Sequence, residues 1–384
     1  MRPTVFGRLW ISLLASWLLL LPGSPATGAV DPPEQTIIQS ILDRYLKEEG
    51  LSGGVLLVSA PNHRHLLVSG KAIRRLGTPV QPTTRFYVAS VGKMIVATAI
   101  LQQIEEGKFS LQSPAAPLVS GVPGLEQLPN IRPARISNLL DHSSGIPEYM
   151  NDDFTEAYYA DPQRLTPKFA IPFAFDERPS GRPGRSHDYV NTNYVLLGDI
   201  IATADATSLD EALKQRVLEP ADMRHTTVGA VPGDGMLAHG YADLEDSGNV
   251  QDVSIYAWNR PLGDGPLVTT AADLERFMFA LFRDGKLLKP EMLARMMKPS
   301  VHEEAYGLGL ERGEDKLGEW VGHTGLQDGF EAEVRYYPGL QAAMIFLTNG
   351  NSSSDTSILD KTAATLNKRL KTDKPQRSAG PVPR

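Results

Sequence analysis

The sequence predicts an α/β fold: an antiparallel sheet built from N- and C-terminal segments, flanked by helices, together with a mostly helical lobe. Three observations predict it. Strand-like runs are confined to the two ends, at about 54–88 and 319–347. Helical runs and Pro/Gly-rich loops fill the middle, from about 90 to 300. Amphipathic helices bracket the strands at 34–48 and about 356–371. No repeat of fixed period is visible, which argues against solenoids and propellers.

The chain opens on a segment with the pattern of a secretory leader. In residues 1–29 the only charges are Arg2 and Arg8, an apolar core runs from Leu9 to Leu21, Pro22-Gly23-Ser24 breaks it, and small residues follow at Ala26, Gly28 and Ala29. The core is shorter than the ~20 apolar residues a span needs. The expectation is a cleaved signal peptide and a periplasmic or secreted protein without a stable membrane span. Losing Arg2 and Arg8 leaves a net charge of about −9, which argues against nucleic-acid and anionic-membrane partners. There is no cysteine, which excludes disulfides, lipidation at cysteine, thiolate metal sites and cysteine nucleophiles.

The elements follow in order. Ile37, Ile38, Ile41, Leu42, Tyr45 and Leu46 recur at helical spacing, and Gly50 stops that helix. Gly54 to Val58 reads as a strand, Pro61-Asn62-His63 as a turn, and Leu66-Leu67-Val68 as a second strand. Thr84 to Val88 alternates like a strand, and Met94, Ile95, Ala97, Thr98, Leu101 and Ile104 give the next helix a broad apolar surface. Near the end, Phe330 to Tyr337 alternates, Pro338-Gly339 turns, and Ala342 to Leu347 is a buried-looking run. Ile358, Leu359, Ala363, Leu366 and Leu370 form the inward face of the last helix, and a Pro/Lys/Arg-rich tail expected to be disordered covers 372–384. One domain is therefore expected over 30–371, with a sheet lobe at about 34–88 and 301–371 and a helical lobe at about 89–300.

The chemistry centres on Ser90-Val91-Gly92-Lys93, at the junction of the strand-like run and its helix. Residues three apart on a helix share a face, so an alcohol and an amine meet without histidine. A helix start also supplies free N–H groups and positive potential for a developing oxyanion. Alone, the motif is expected about once by chance in a chain of this length. Two further motifs follow: Tyr189-Val190-Asn191, opening the helical run Thr192 to Ile200, and His323-Thr324-Gly325, after the strand candidate Glu319-Trp320-Val321.

With this ordered set the chain resembles the serine β-lactamase and penicillin-binding protein superfamily, most closely its class C β-lactamase and D-alanyl-D-alanine carboxypeptidase branch. Leu139 to Ile146, Asn191 to Gly198 and Leu267 to Leu274 are also similar to that family, over about residues 35–370. The resemblance implies a β-lactamase/transpeptidase-like fold and a serine hydrolase acylated on Ser90. Lys93 and Tyr189 would move the proton, and which of the two is the base stays open, since such pairs titrate together. Asn191, His323, Thr324 and Gly325 would bind substrate, and the backbone N–H groups of Ser90 and Leu326 would form the oxyanion hole.

No cofactor or metal is expected. The expected partner is a small peptide, amide or ester, such as a peptidoglycan stem peptide. An esterase or weak β-lactamase of the same fold, and a non-catalytic ligand-binding homologue, stand as alternatives. His323 replaces the lysine common in β-lactamases, and a mostly neutral imidazole holds a substrate carboxylate less firmly. Arg178, Arg182 and Arg185 in the 176–185 loop offer substrate carboxylates another partner. Three patterns are set aside. Tyr149-Met150-Asn151 lacks the following helix motif, Gly50 to Gly54 lacks the strand-turn-helix order of a nucleophile elbow, and His63 and His65 lack a third metal ligand. His142 reads as a structural anchor.

Overall fold

The computed structural model describes residues 33–229, 235–258 and 261–372. The leader expected at 1–29, and all but the first residue of the tail expected at 372–384, lie outside the described residues.

The two ends of the chain meet in one antiparallel sheet. Its strands are β1 (Gly53–Ala60), β2 (His63–Ile73), β3 (Thr78–Pro79), β4 (Glu311–Asp315), β5 (Gly318–Gln327), β6 (Phe330–Tyr337) and β7 (Ala342–Thr348), in the spatial order β3-β2-β1-β7-β6-β5-β4. The seam is β1 on β7, with Val55 opposite Leu347 and Leu57 opposite Ile345. Both strands are nearly continuous apolar runs because both faces of the sheet are covered, and alternate side chains serve alternate faces.

Leu56, Val58, Met344 and Phe346 point to one face, where they meet Ile38, Leu42 and Tyr45 of helix α1 (Glu34–Glu48) and Ile358, Leu359, Ala363 and Leu366 of the C-terminal helix (Ile358–Thr372). Tyr45 and Phe346 pack edge to face, 5.6 Å between ring centroids. Val55, Leu57, Ala343, Ile345 and Leu347 point to the other face and join the large core with the remaining helices. The helix Ala271–Phe282 packs against β1, β6 and β7, so part of the stretch 89–300 covers the sheet instead of joining the helical lobe.

Helix α2 (Gly92–Glu105) is buried nearly all round, as the breadth of its apolar surface requires. It packs against α3 (Thr192–Asp205). The strand expected at Thr84–Val88 shrinks to Phe86–Tyr87, which joins Leu267–Thr269 and Thr227–Val228 in a small separate sheet. No described helix is long and apolar enough to cross a membrane.

Removing the Phe346 ring opens a cavity between the sheet and its outer helices. Phe346→Ala is expected to cost about 3–5 kcal/mol in equilibrium urea unfolding, as large aromatic truncations do. A loss under 1 kcal/mol would show that this face is not the second core.

Candidate active site

Ser90 sits in a 3-10 turn, Ala89–Val91, that feeds directly into α2. The residue before it, Ala89, has φ 44°, a left-handed conformation that costs a side-chain-bearing residue energy. Ser90 and Ala89 both line a cavity of about 390 Å³, a volume in the range of small-molecule sites. Tyr87, Met150, Tyr189, Asn191, Asp264, Glu311, Thr324 and Leu326 help line it.

Lys93 lies one turn on and is fully buried. Its Nζ is 2.8 Å from Ser90 Oγ, 2.8 Å from Asn191 Oδ1 and 2.7 Å from the Asp264 carbonyl. Carbonyl oxygens carry no proton, so of these three contacts only the one to Ser90 can exchange one. Nζ also lies 5.0 Å and 5.6 Å from the ring centroids of Tyr189 and Tyr194.

Tyr189 lines the same cavity as Ser90, and burial pushes its pKa well above the usual phenol range. The negative charges of Glu311, Asp264 and Glu148 push it further, so Tyr189 rests as a neutral phenol. The residue is 37% exposed, and its ring stacks at 4.2 Å on buried His142.

Asn191, expected to bind substrate, is engaged within the protein on every polar group of its side chain. Its Oδ1 holds Lys93, while its Nδ2 and backbone N–H donate to Glu148 Oε2 at 3.0 and 2.6 Å. It lines the cavity as the holder of Lys93.

The third motif lies on β5. Its period of two splits the motif: His323 and Gly325 are buried, whereas Thr324 and Leu326 are exposed. This corrects the expectation for His323. With 1% exposure its side chain does not line the cavity. Its Nε2 is 3.0 Å from the Tyr306 hydroxyl and its Nδ1 is 2.6 Å from the Thr324 carbonyl.

Gly325 allows a close approach to the Ser90 turn. A Cβ there would stand 2.2 Å from the Val88 carbonyl oxygen and 3.3 Å from Ser90 N. The bare backbone thus lets the strand edge lie against the Ser90 turn, with Leu326 next along the edge. The Thr324 N–H donates to Glu311, away from β6, and alternation turns the Leu326 N–H the same way, toward the cleft.

His142 anchors this side, as expected. Its Nδ1 accepts the Val190 N–H at 3.2 Å, so Nε2 carries the proton and donates to the Tyr306 hydroxyl at 3.2 Å. Tyr306 then donates to His323 Nε2. Burial depresses the pKa of both histidines, and nearby Lys93 contributes in the same direction.

Four functional residues were not singled out in sequence: Glu148, Asp264, Tyr306 and Glu311. Asp264 sits between two glycines, and Gly263 passes so close to α3 that a Cβ would meet the Tyr194 carbonyl at 2.1 Å. That glycine pair is the one visible signal among the four. Their contacts are long-range pairings that no local spacing encodes.

The patterns set aside have other roles. Tyr149 donates to Asp264 Oδ2, and Asn151 caps the helix Asp152–Ala160. Gly50, at φ 65°, ends α1, and Ser52 bonds the Lys71 carbonyl. Arg178, Arg182 and Arg185 are exposed and do not line the cavity. One expectation is corrected: His63 and His65 do have a third donor beside them. Glu34 Oε1 lies 3.5 Å from His63 Nδ1 and 3.0 Å from His65 Nε2.

A sheet of this order, with Ser90 on the turn before the buried helix that carries Lys93, a tyrosine across the cleft and a strand edge beside them, defines a β-lactamase/transpeptidase-like fold. The profile of the Beta-lactamase family matches residues 38–367, and the chain belongs to that family. PbpX of Bacillus subtilis (strain 168) is 29% identical over 270 residues, 70% of this chain and 64% of that protein. This chain thus spans less than two thirds of PbpX. Penicillin-binding protein 4 of Amycolatopsis lactamdurans is 25% identical over 337 residues, 81% of this chain and 84% of that protein. Among solved structures, a D-stereospecific amidohydrolase from Streptomyces sp. superposes with a TM-score of 0.74 at 24% identity, covering 87% of this chain and 98% of that one.

Two outcomes follow. Gly325→Ala is expected to keep its circular dichroism spectrum but lose at least about 100-fold in acylation rate, the usual scale for a displaced oxyanion donor. An unchanged rate would show that the strand edge takes no part. Below about pH 6.5 the unfolded chain binds protons that buried His142 and His323 refuse, so stability is full above that pH and is lost as pH falls. The slope reaches about 1.4 kcal/mol per pH unit for each histidine. The urea midpoint should therefore drop between pH 7 and 5.5, less steeply in His142→Gln, and a flat midpoint would contradict the assignment.

Proposed function

We propose that the chain is an exported acyl hydrolase that cleaves small amide or peptide bonds of D-amino-acid compounds through an acyl-enzyme on Ser90. The observation that carries the reading is the Lys93 Nζ to Ser90 Oγ contact at 2.8 Å, with Tyr189 lining the same cavity as Ser90.

Ser90 Oγ attacks the substrate carbonyl carbon, and its proton passes into the Lys93–Tyr189 pair. The carbonyl oxygen becomes an oxyanion facing the N–H groups of Ser90 and Leu326. Collapse breaks the bond to the leaving amine, which takes the proton from the pair. Water then attacks the ester carbonyl, its proton follows the same route, and the acid leaves with Ser90 restored. A neutral Tyr189 suits the donating half of each step, and a base must arise from the pair for the accepting half.

The D-configured substrate is supported by the names of relatives and fold neighbours. These include penicillin-binding protein 4, the D-stereospecific amidohydrolase and a D-amino acid amidase from Ochrobactrum anthropi SV3 with a TM-score of 0.74. Export is supported by the leader pattern in residues 1–29.

Incubation of the folded chain with a labelled fluorophosphonate or β-lactam should add one label, on Ser90. Ser90→Ala should take none and lose at least about 10⁴-fold in hydrolysis. A panel of D-amino-acid anilides, D-Ala-D-Ala peptides, short esters and β-lactams separates the amidase and peptidase forms from an esterase or weak β-lactamase. No adduct with either probe would favour a non-catalytic binding protein.

A further inference from the structure

Glu311 opens β4, opposite Gly322 in the β5 register. Its carboxylate runs along the free edge of β5. Oε2 accepts the Thr324 N–H at 3.0 Å, Oε1 accepts the Thr324 hydroxyl at 2.7 Å, and Oε1 lies 3.2 Å from His323 Nδ1. The side chain remains 23% exposed and lines the Ser90 cavity.

Strand N–H groups two residues apart point the same way, about 7 Å apart. The Glu311 carboxylate therefore lies one strand repeat from the Leu326 N–H that faces the oxyanion. That distance spans a few bonds of a substrate. Among the described residues, no arginine and no lysine line this cavity, and buried Lys93 is turned to Ser90, Asn191 and Asp264. His323, buried and held neutral, does not cancel the carboxylate's charge. The edge on which a substrate carboxylate would seek a cation thus carries a fixed anion.

We infer that Glu311 is a specificity residue: it binds a protonated amine a few bonds from the scissile carbonyl and turns away substrates with a carboxylate there. This rests on the acyl-enzyme reading of Ser90. A carboxylate accepts at about four lone-pair positions, and the Thr324 N–H and hydroxyl use two, leaving room for a ligand. A charge-assisted bond to an ammonium is the strong kind, and the same charge repels a carboxylate. The favoured substrates are aminoacyl amides or esters and the amino end of short peptides, not the carboxyl end.

The test uses D-alanine p-nitroanilide with its N-acetyl and N-succinyl derivatives, on the full chain and on Glu311→Gln. The wild-type chain should prefer the free amine over the N-succinyl compound by at least tenfold in kcat/KM, with the N-acetyl compound between. Glu311→Gln should compress that ratio at least tenfold, chiefly through KM, and Glu311→Asp should restore part of it. Protection of Ser90 against a fluorophosphonate probe, by D-alaninamide but not by N-succinyl-D-alanine, reads the same preference without turnover or a variant. Equal or better use of the N-succinyl compound, or a proportional loss on all three, overturns the role of Glu311. Failure of the probe to label Ser90 at all would instead overturn the acyl-enzyme reading.

Discussion

The site depends on one buried nitrogen. Lys93 Nζ has no solvent around it and is held by Asn191 Oδ1, the Asp264 carbonyl and Ser90 Oγ. A cation in such a place is costly unless acceptors surround it, and each acceptor comes from a different part of the chain. Ser90 arrives on the turn before α2, Asn191 at the start of α3, and Asp264 on a loop between glycines. Glu148 pins Asn191 in turn, and burial raises the pKa of that carboxyl group. The amine therefore organises the helical side of the cleft as much as it serves the reaction.

The opposite wall is organised by backbone instead of side-chain charge. Gly325 lets a strand edge approach the Ser90 turn at a distance no side chain would allow. His142, Tyr306 and His323 run behind it as a directed chain of hydrogen bonds, with His142 also supporting the ring of Tyr189. The result is a proton-handling wall facing an oxyanion-binding wall, joined at Ser90. Strain at Ala89 is held at that junction, where core packing on both sides can sustain it.

Much of this was legible in the sequence. The β5 to β7 strands and the terminal helices follow from periodicity, because each buries at least one regular face. Ser90, Lys93 and Tyr189 were legible because their motifs are local and ordered. His323 was misread for a physical reason: in a strand, adjacent residues point to opposite faces, so His323 and Thr324 cannot both meet the cleft. Thr84 to Val88 alternated like a strand but found only a short partner, since Phe86 and Tyr87 pair with residues 268 and 269 and not with the main sheet. Glu34 beside His63 and His65, and Glu311 beside Thr324, were invisible because pairings between separate elements leave no mark on local spacing.

The β1–β7 seam gives the molecule a timetable. One strand of the seam, β1, is complete within the first 60 residues, but its partner, the central strand β7, ends at Thr348. The sheet cannot close until nearly all of the chain exists, and the loop that closure must form spans the entire helical block. Until then β1 presents an open apolar edge, and Ser90 has no strand beside it. A chain that is still being synthesised therefore carries an unassembled site, and the site comes together in one late step.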